Sequence, residues 1–304
     1  IRINWDDFAD LSSVVPFLVR IYPNGPGDIN TFQAAGGMAA LIAELLDGGF
    51  LHRDVETVAG QGLEAYVRKP VLVGGGLTWE DEPERSADLS VIARLGQPFS
   101  PSGGLKVLAG NLGRAVIKVS ALANGADTFV EAPALVFHTQ EEFATAFREG
   151  RLQRNFIAVV RFQGPQATGM PELHKLITPL AVLMEHGHQV AMVTDGRLSG
   201  ASGKVPAAIH VTPEAFCGGM LAKVQDGDLI RLDVKAGRLD LLLDAEVIAA
   251  REYADPGVKK VRYGGGRQIF APLRSRMLSP EEGASSLFTY VYEKCQVNLP
   301  FQEE

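Results

Sequence analysis

One loop, residues 194–203 (TDGRLSGASG), carries a dense set of side chains that could do chemistry. It holds the Asp195 carboxylate, the Arg197 guanidinium and the Ser199 and Ser202 hydroxyls, together with three glycines. Apolar runs flank it, and polar loops positioned by a rigid scaffold are common sites of binding and catalysis. Because glycine lets the backbone approach a ligand closely, Ser199 could present its hydroxyl at a strand tip. The alternative is an ordinary turn, since Gly, Ser and Asp are also frequent turn residues.

The pair Gly203-Lys204 does not complete a nucleotide-binding loop. That motif requires a glycine where the chain has Leu198, and a Ser or Thr where it has Val205. The other glycine-rich run, residues 74–76, is interpreted as a flexible crossing between domains rather than as a phosphate cradle.

Composition limits the classes of protein that fit. The length of 304 residues suggests one large or two ordinary domains, and 46% hydrophobic with 21% charged residues is typical of a globular protein. A formal net charge of −7 argues against nucleic-acid or anionic-membrane partners, and no apolar stretch reaches the length of a membrane span. Cys217 and Cys295 lie far apart without metal-ligand spacing, which predicts free thiols in a cytoplasmic protein.

The elements that must position the loop follow from periodicity and punctuation. Residues 1–75 are predicted to be helical with loops, including a helix whose apolar face spans residues 38–46. Residues 74–104 are rich in Gly, Pro, Ser and charge and indicate an interdomain connection. Beyond residue 105, short apolar segments predict strands. These are residues 106–109, 115–119, 134–137, 157–162, 190–193 and 207–211, followed by a hairpin of 228–234 with 238–243.

Helices are predicted between these strands from their capping signals. Thr139 and Glu142 form a capping-box pattern before a helix that Gly150 ends. Pro171 is predicted to open the next helix, with His186 and His188 at its solvated end rather than in a metal site. The sequence Thr212-Pro213-Glu214 is read in the same way, as an N-cap, an N1 proline and a first-turn acid.

Four collinear segments carry a resemblance to a known family. Residues 193–215 (VTDGRLSGASGKVPAAIHVTPEA) resemble the signature of the dihydroxy-acid and 6-phosphogluconate dehydratases. Residues 163–174 (QGPQATGMPELH) are similar to the family's second motif, and residues 102–112 (SGGLKVLAGNL) to the start of its carboxy-terminal domain. Residues 22–37 (YPNGPGDINTFQAAGG) resemble the 6-phosphogluconate branch in particular.

The resemblance implies an α/β fold in two domains. Residues 1–95 are expected to be the mostly helical remainder of an amino-terminal α/β domain plus a linker, and residues 96–304 a β-barrel domain flanked by helices. Family members are about twice as long, so the chain is expected to be a carboxy-terminal fragment. The cysteines that hold the family's iron–sulfur cluster belong to the other half, and none of the cluster ligands is expected in this chain.

The family's reaction removes water from a 2,3-dihydroxy acid, which requires a Lewis acid for the C3 hydroxyl and a base for the C2 proton. Ser199 matches the family's proposed base, and Glu172 matches its ligand to Mg²⁺ or Mn²⁺, a hard cation suited to a carboxylate. A 4Fe-4S cluster is the implied Lewis acid. The alternatives are that Ser199 only caps a turn and that Glu172 is a first-turn glutamate favoured by the helix dipole.

Further residues near the motifs are predicted to bind the substrate. Arg197 could hold a carboxylate in bidentate fashion, whereas Asp195 could bind substrate or only orient Arg197. The remaining candidates are polar or cationic residues within or beside the motifs. They are Ser202, Lys204, Thr168 and His174, with His210 as another possible phosphate ligand and Gly196 and Gly200 lining the pocket.

Three functions are therefore expected in order. The first is dehydration of 6-phospho-D-gluconate to 2-dehydro-3-deoxy-6-phosphogluconate in the Entner–Doudoroff pathway of gluconate metabolism, by a cytoplasmic homodimer. The second is a sibling dehydratase for a branched-chain dihydroxy acid or an unphosphorylated sugar acid. The third belongs to another class: the chain by itself acts only as a non-catalytic folding, binding or assembly domain.

Overall fold

A computed structural model of the chain describes residues 3–81, 85–199, 203–257 and 265–287. The chain divides into two compact units, one comprising Asp6–Leu105 and the other comprising Lys106–Glu304 with Ile1–Trp5. The domain boundary expected between residues 95 and 96 stays a prediction. Among the described helices, none combines the length and apolar character that a bilayer crossing requires.

The first unit contains three short helices. These are α1 (Trp5–Val14), α2 (Ile29–Ala34) and α3 (Gly37–Asp47). The Asp28 side chain caps α2 by accepting a hydrogen bond from the backbone N–H of Thr31 at 2.8 Å. The predicted helix over residues 38–46 is confirmed by α3, although Met38, at one end of its predicted apolar face, is 56% exposed. The unit's small core gathers Phe32, Ala35, Ala40, Val91 and Ile92.

Residues 1–75 are helical with loops as predicted over α1 to α3, but three strands that were not predicted lie there as well. A first hairpin pairs β1 (Glu56–Thr57) with β2 (Gly60–Gln61), and a second pairs β3 (Arg68–Val73) with β4 (Gly76–Asp81). Gly74 and Gly75 form the two-residue turn of the second hairpin, with φ of 59° and 84°. Two successive positive φ values are what a type I′ hairpin turn requires. The triple glycine is therefore a strand turn and not a flexible crossing.

The second unit contains the predicted β-barrel, a closed sheet of eight strands in the order β10-β6-β5-β12-β11-β7-β8-β9. The strands are β5 (Leu105–Gly110), β6 (Gly113–Lys118), β7 (Phe129–Phe137), β8 (Phe156–Val160), β9 (Val190–Thr194), β10 (Ala207–Thr212), β11 (Leu229–Asp233) and β12 (Arg238–Leu241). The helices are α4 (Gln140–Arg148), α5 (Ile177–Glu185), α6 (Ala245–Ala250) and α7 (Gly265–Arg274). Every strand predicted beyond residue 105, including the hairpin of β11 and β12, is confirmed, although β7 begins at Phe129 and not at the predicted residue 134.

One side of the barrel is built from consecutive parallel strands. Strands β7, β8, β9 and β10 are parallel, and α4 and α5 form the crossovers β7–α4–β8 and β8–α5–β9. Both faces of β8 and β9 are buried along their full length. Parallel strands covered on both faces are expected to be continuously apolar, as Ile157–Val160 and Val190–Val193 are.

Two hydrophobic layers sandwich these parallel strands. The barrel interior is filled by side chains such as Leu108, Ile117, Ile157 and Ile230. An outer layer between the strands and the helices contains Phe143 of α4 and Leu180 of α5, Met192 of β9, and the loop residues Leu198 and Val205. The connection between β9 and β10, residues 195–206 and called here the β9–β10 loop, is thus anchored in the outer layer on both sides of its undescribed residues 200–202.

Three of the predicted capping patterns differ from the structure. Thr139 caps α4 as expected, with its hydroxyl accepting from Glu142 N–H at 3.1 Å, but the Glu142 carboxylate accepts from His138 N–H at 2.7 Å instead of from Thr139. Pro171 does not open a helix, because helical structure begins only with the 3₁₀ turn His174–Leu176 before α5.

The third concerns Thr212-Pro213-Glu214. The Thr212–Pro213 peptide is cis, and the 3₁₀ turn that follows, Ala215–Cys217, has Glu214 as its N-cap residue. Pro213 is therefore not at the first position of a helix, and Glu214 is not a first-turn acid. By contrast, an exposed His186 does lie at the end of α5, followed by Gly187 with φ of 87° and by a half-buried His188.

Candidate functional site

The β9–β10 loop begins with a buried carboxylate. Asp195 is fully buried at the end of β9, and its two oxygens accept hydrogen bonds from the backbone N–H groups of Phe162 (3.1 Å), Gln163 (2.8 Å) and Ala215 (2.9 Å). Burial raises the pKa of this carboxyl, and the three backbone donors act in the opposite direction. Asp195 thus ties together three segments of backbone. Its predicted roles, binding of substrate or orientation of Arg197, stay predictions.

Glu172 brings the predicted site residues together. Its Oε2 accepts from Nη1 of Arg197 at 2.7 Å, and its Oε1 accepts from the backbone N–H of Ser199 at 2.9 Å. The backbones of Glu172 and Arg197 also form a parallel bridge, extended by a hydrogen bond from Leu173 N–H to Arg197 O at 3.3 Å. One carboxylate therefore fixes both the guanidinium and the main chain of Ser199, while the Ser199 residue itself is exposed.

The segment that delivers Glu172 has an unusual backbone. Gly169 and Met170 both have positive φ, 79° and 54°, and Met170 O accepts a hydrogen bond from Arg197 Nε at 2.8 Å. Positive φ is uncommon for a residue with a side chain and often accompanies functional sites. Glu172 lies in an extended bridge ahead of the 3₁₀ turn, so neither the predicted helix start nor its alternative as a first-turn glutamate describes it.

His210 faces the same corner from β10. Its backbone N–H donates to Gly196 O at 2.9 Å, its φ is 59°, and its ring lies 6.4 Å from that of Trp5. Burial lowers the pKa of His210, and the positive charge of Arg197 lowers it further. The imidazole is therefore neutral at pH 7, which favours a hydrogen-bonding role over service as a phosphate-binding cation.

The other predicted residues are not brought into this cluster by any described contact. Thr168 is exposed, with its hydroxyl donating to Phe162 O at 3.3 Å. His174 and Lys204 are exposed as well. Ser202 and Gly200 lie outside the described residues. Their predicted roles in substrate binding stay predictions.

Two residues that were not predicted as site residues, Lys118 and Glu214, lie beside or within the motifs. Lys118, at the end of β6, runs beside Gly203 of the β9–β10 loop, and burial lowers its pKa. Its signal was a single charge inside the apolar run 115–119. Glu214 is buried and accepts from Gln166 N–H at 3.0 Å and from Cys217 Sγ at 3.3 Å. Burial, with the Asp195 charge nearby, raises its pKa to about 7.

The described residues offer limited means of holding a metal. No cluster of three or more His, Cys, Asp or Glu side chains with suitable spacing occurs within them. Glu172 is about one-third exposed and retains lone pairs beyond the two hydrogen bonds described, so it could supply one oxygen to a hard cation. Burial, together with Glu214, raises the pKa of Cys217 to about 12. Because metals bind the thiolate, Cys217 does not suit an iron–sulfur cluster.

Comparisons with known proteins agree with the motifs. A family model described as dihydroxy-acid/6-phosphogluconate dehydratase, C-terminal, matches residues 90–284, and its N-terminal counterpart matches residues 1–66. Phosphogluconate dehydratases of Escherichia coli K12 and Pseudomonas aeruginosa are each 55% identical to the chain over 94% of its length and 47% of theirs. A dihydroxy-acid dehydratase of Ignicoccus hospitalis is 36% identical over 84% of the chain and 44% of its own length. The chain spans about half the length of these relatives.

Proposed function

We propose, because the chain belongs to the dihydroxy-acid/6-phosphogluconate dehydratase family, that it serves in the dehydration of 6-phospho-D-gluconate to 2-dehydro-3-deoxy-6-phosphogluconate and water. The observation that carries this proposal is the cluster of Glu172, Arg197 and Ser199, held together by two hydrogen bonds of 2.7 and 2.9 Å. High identity to phosphogluconate dehydratases supports this substrate over others in the family.

Ser199 is the proposed base. In the reaction a proton leaves C2, which the adjacent carboxylate makes more acidic, and a hydroxyl leaves C3, giving an enol that becomes the 2-oxo-3-deoxy acid. A serine hydroxyl is too weakly acidic to lose its own proton unaided, and only the resulting alkoxide could take the proton from C2. Positive charge nearby is needed to stabilise that alkoxide. Arg197 supplies one such charge, and its anchorage to Glu172 keeps the two residues adjacent. The proton would move from C2 of the substrate to Oγ of Ser199.

Glu172 is the proposed ligand of Mg²⁺ or Mn²⁺. A hard cation of this kind, when bound, stabilises negative charge on substrate oxygens. The pairing of Glu172 with Arg197 means that this carboxylate alone would bind such an ion weakly, so the other ligands must come from outside the described cluster. The 4Fe-4S cluster is a proposal that rests on the family alone, since Cys217 does not fit it.

A cytoplasmic location and a homodimeric state are proposed with the enzyme. The location is supported by the widely spaced cysteines, which suit a reducing compartment. The dimer rests on the resemblance to the family.

Rates of the complete protein on three substrates test the proposed function. We expect turnover of 6-phosphogluconate to exceed that of gluconate and of 2,3-dihydroxyisovalerate. Preference for 2,3-dihydroxyisovalerate would instead identify the sibling dihydroxy-acid activity, and preference for gluconate a sugar-acid dehydratase.

Substitution of Ser199 tests its role within the same protein. Ser199→Ala is expected to lower kcat by about 10²- to 10⁴-fold, the usual contribution of a general base. Ser13→Ala, at an exposed serine of α1, is the matched control and should leave kcat unchanged. A Ser199→Ala variant with the wild-type rate would rule out Ser199 as the base.

A further inference from the structure

Segments that follow three neighbouring parallel strands meet at the candidate site. Strands β7, β8 and β9 lie side by side in that order and point in the same direction. Arg197 and Ser199 follow the carboxyl end of β9, and Glu172 follows that of β8. The segment after β7 continues through Thr139 into α4, whose first residue is Gln140. Because the carboxyl ends of parallel strands lie at one edge of a sheet, Gln140 belongs to the same edge as the candidate site.

The side chain of Gln140 contacts the main chain of Glu172. Its Nε2 donates a hydrogen bond to Glu172 O at 3.1 Å. On its other side the Glu172 segment pairs with the β9–β10 loop, and the donor of that pairing is the N–H of Leu173, bound to Arg197 O. Neighbouring peptide groups of an extended segment point to opposite sides, so Glu172 O faces away from Arg197 and toward Gln140. The segment is therefore held from both sides.

The helix that carries Gln140 is firmly anchored. The Thr139 hydroxyl caps α4 by accepting from Glu142 N–H at 3.1 Å. Phe143 and Ala146 of the same helix are buried in the outer hydrophobic layer. A side chain on such an element is placed more precisely than one on a loop. Gln140 thus gives the Glu172 segment a fixed point of attachment outside the two loops of the candidate site.

The amide of Gln140 can make this contact in only one orientation. Reversing it would bring Oε1 against Glu172 O, and two acceptors do not bind each other. In the orientation observed, Oε1 is buried and makes no hydrogen bond to the described residues. A buried acceptor of this kind contributes nothing to stability. The bond that Nε2 donates to Glu172 is therefore the contribution of the amide that requires explanation.

We propose that Gln140 is a positioning residue of the candidate site. By holding Glu172 O from the side opposite Arg197, it fixes the rotation of the Glu172 segment about its own axis. That rotation decides where the Glu172 carboxylate meets the Arg197 guanidinium and the Ser199 N–H. The inference rests on the proposed function, in which Ser199 takes the proton from C2, and it adds a third strand end to the two that carry the motif residues.

Two substitutions at Gln140 in the complete protein test the proposal. Gln140→Met keeps the length of the side chain and removes the donor, whereas Gln140→Glu keeps the shape and sets a carboxylate against Glu172 O. We expect kcat for 6-phosphogluconate to fall about 10-fold in the first and about 100-fold in the second, the cost of a small displacement of reacting groups. KM should change by less than about 3-fold in both, a loss confined to the transition state.

The order of the two variants separates positioning from packing. If only the volume of the side chain mattered, Gln140→Glu would be the milder change, since Glu and Gln have the same shape. An acidic residue in the first turn of a helix is also favourable. The midpoint of thermal unfolding should therefore stay within about 3 °C of wild type in both variants. A kcat for Gln140→Glu above that of Gln140→Met, or losses of kcat matched by losses of thermal stability, would overturn the proposal.

Gln189 is the matched control. It precedes β9, at the end of the strand opposite the candidate site, and its Nε2 donates to Phe129 O at 3.1 Å. It therefore makes the same type of contact over the same distance as Gln140. Gln189→Met and Gln189→Glu should leave kcat within about 2-fold of wild type, since substitutions far from a site seldom alter it. An equal loss of kcat at both positions would contradict a specific role for Gln140.

Hydrogen exchange measured by mass spectrometry separates this inference from the proposed function. In the complete protein, the amides of residues 171–173 and 196–199 should exchange at least about 10-fold faster in Gln140→Glu than in wild type, because local opening becomes easier. Gln189→Glu should leave them unchanged. If the wild-type protein did not turn over 6-phosphogluconate, the proposed function would fail, while these exchange rates would still decide whether Gln140 holds the segment. Unchanged exchange in Gln140→Glu would overturn the proposal.

Discussion

At the scale of single residues, two glutamates of the motifs, Glu172 and Glu214, have different structural roles. Glu172 is partly exposed and holds groups of the candidate site, whereas Glu214 is buried and holds backbone behind it. The buried carboxylate of Glu214 lies against Gly164, where an added β-carbon would be only 1.6 Å from Glu214 Oε2. The second motif therefore needs glycine at this position to admit a buried carboxylate.

Glu172→Gln is expected to impair activity far more than stability. The change removes the charge that pairs with Arg197 but keeps one oxygen that can accept from the Ser199 N–H. The loop around Ser199 should therefore stay folded, with Arg197 and Ser199 slightly displaced relative to each other. A small displacement of a catalytic group can cost about 100-fold in rate, whereas a partly exposed ion pair contributes about 1 kcal/mol or less to stability. Measurement of kcat and of urea unfolding on the same variant checks both expectations. A variant that lost stability in proportion to activity would contradict a role in the site.

Glu214 should make the stability of the protein depend on pH. Its pKa is about 7 in the folded state, above the ordinary value of 4.5, so the folded state binds the proton more tightly than the unfolded state. This contribution is complete below pH 4.5 and is lost as pH rises through 7, on the order of 3 kcal/mol in all. Glu214→Gln should remove it. The unfolding free energies of wild type and variant are measured from pH 4.5 to 8, and their difference removes the contribution of the histidines, which both proteins share. A difference that did not change with pH would contradict the raised pKa of Glu214.

At the scale of elements, the close approach of β5 to β12 depends on one glycine. A β-carbon at Gly110 would lie 1.9 Å from Leu239 O and 2.5 Å from Asp240 Oδ1. The first of these atoms belongs to the backbone and cannot move aside without separating the strands. Asn111, the next residue, binds β12 through its side chain as well, donating to Leu241 O at 2.8 Å and accepting from Leu241 N–H at 2.7 Å.

Gly110→Ala is therefore expected to destabilise the barrel by about 3 kcal/mol or more, at the upper end of single substitutions. Gly266→Ala in α7, where a β-carbon would meet nothing within 4 Å, is the control and should change stability by about 0.5 kcal/mol or less. Denaturant unfolding followed by circular dichroism gives both values. Equal stability of the two variants would show that β5 and β12 can separate without cost.

The elements also mark how far the sequence could predict the fold. The strands of the barrel were predictable because Ile157–Val160 and Val190–Val193 are continuous apolar runs, as parallel strands buried on both faces must be. The β3–β4 hairpin was not, because its strands are largely exposed and have no apolar periodicity. The sequences around Pro171 and Pro213 resemble helix starts. In the structure Glu172 instead forms a β-bridge with Arg197, and Glu214 is buried, and both features depend on tertiary contacts.

In the candidate site, the family resemblance supplied the motif residues, but the sequence did not indicate which residues contact them. The Glu172–Arg197 pair joins residues 25 positions apart, and no local pattern signals such a contact. For Asp195 the sequence did not indicate its hydrogen-bond partners, because the three backbone donors that converge on it come from distant segments. Lys118 is 85 residues from Gly203 in sequence, and only closure of the sheet brings the two together.

At the scale of the whole molecule, the chain by itself is expected to bind without turning over substrate. Within its described residues, Glu172 offers a partly exposed carboxylate at the candidate site, and no cluster of three or more His, Cys, Asp or Glu side chains could hold a metal. Purified as these 304 residues, it should show no dehydration of 6-phosphogluconate in a coupled assay for the 2-oxo product. Detectable turnover without any added protein would contradict this expectation and show that the residues near Ser199 suffice.

Closure of the barrel also has a consequence for synthesis on the ribosome. Strand β5 pairs with β12 at Ala109 and Arg238, about 130 residues later in the chain. At 5–20 residues per second, β5 leaves the ribosome roughly 6 to 26 s before its partner exists. During that interval β5 and β6 expose an unpaired strand edge, and such edges recruit other chains. Translation speed and chaperone supply should therefore govern the soluble yield of this protein as strongly as the stability of its finished fold.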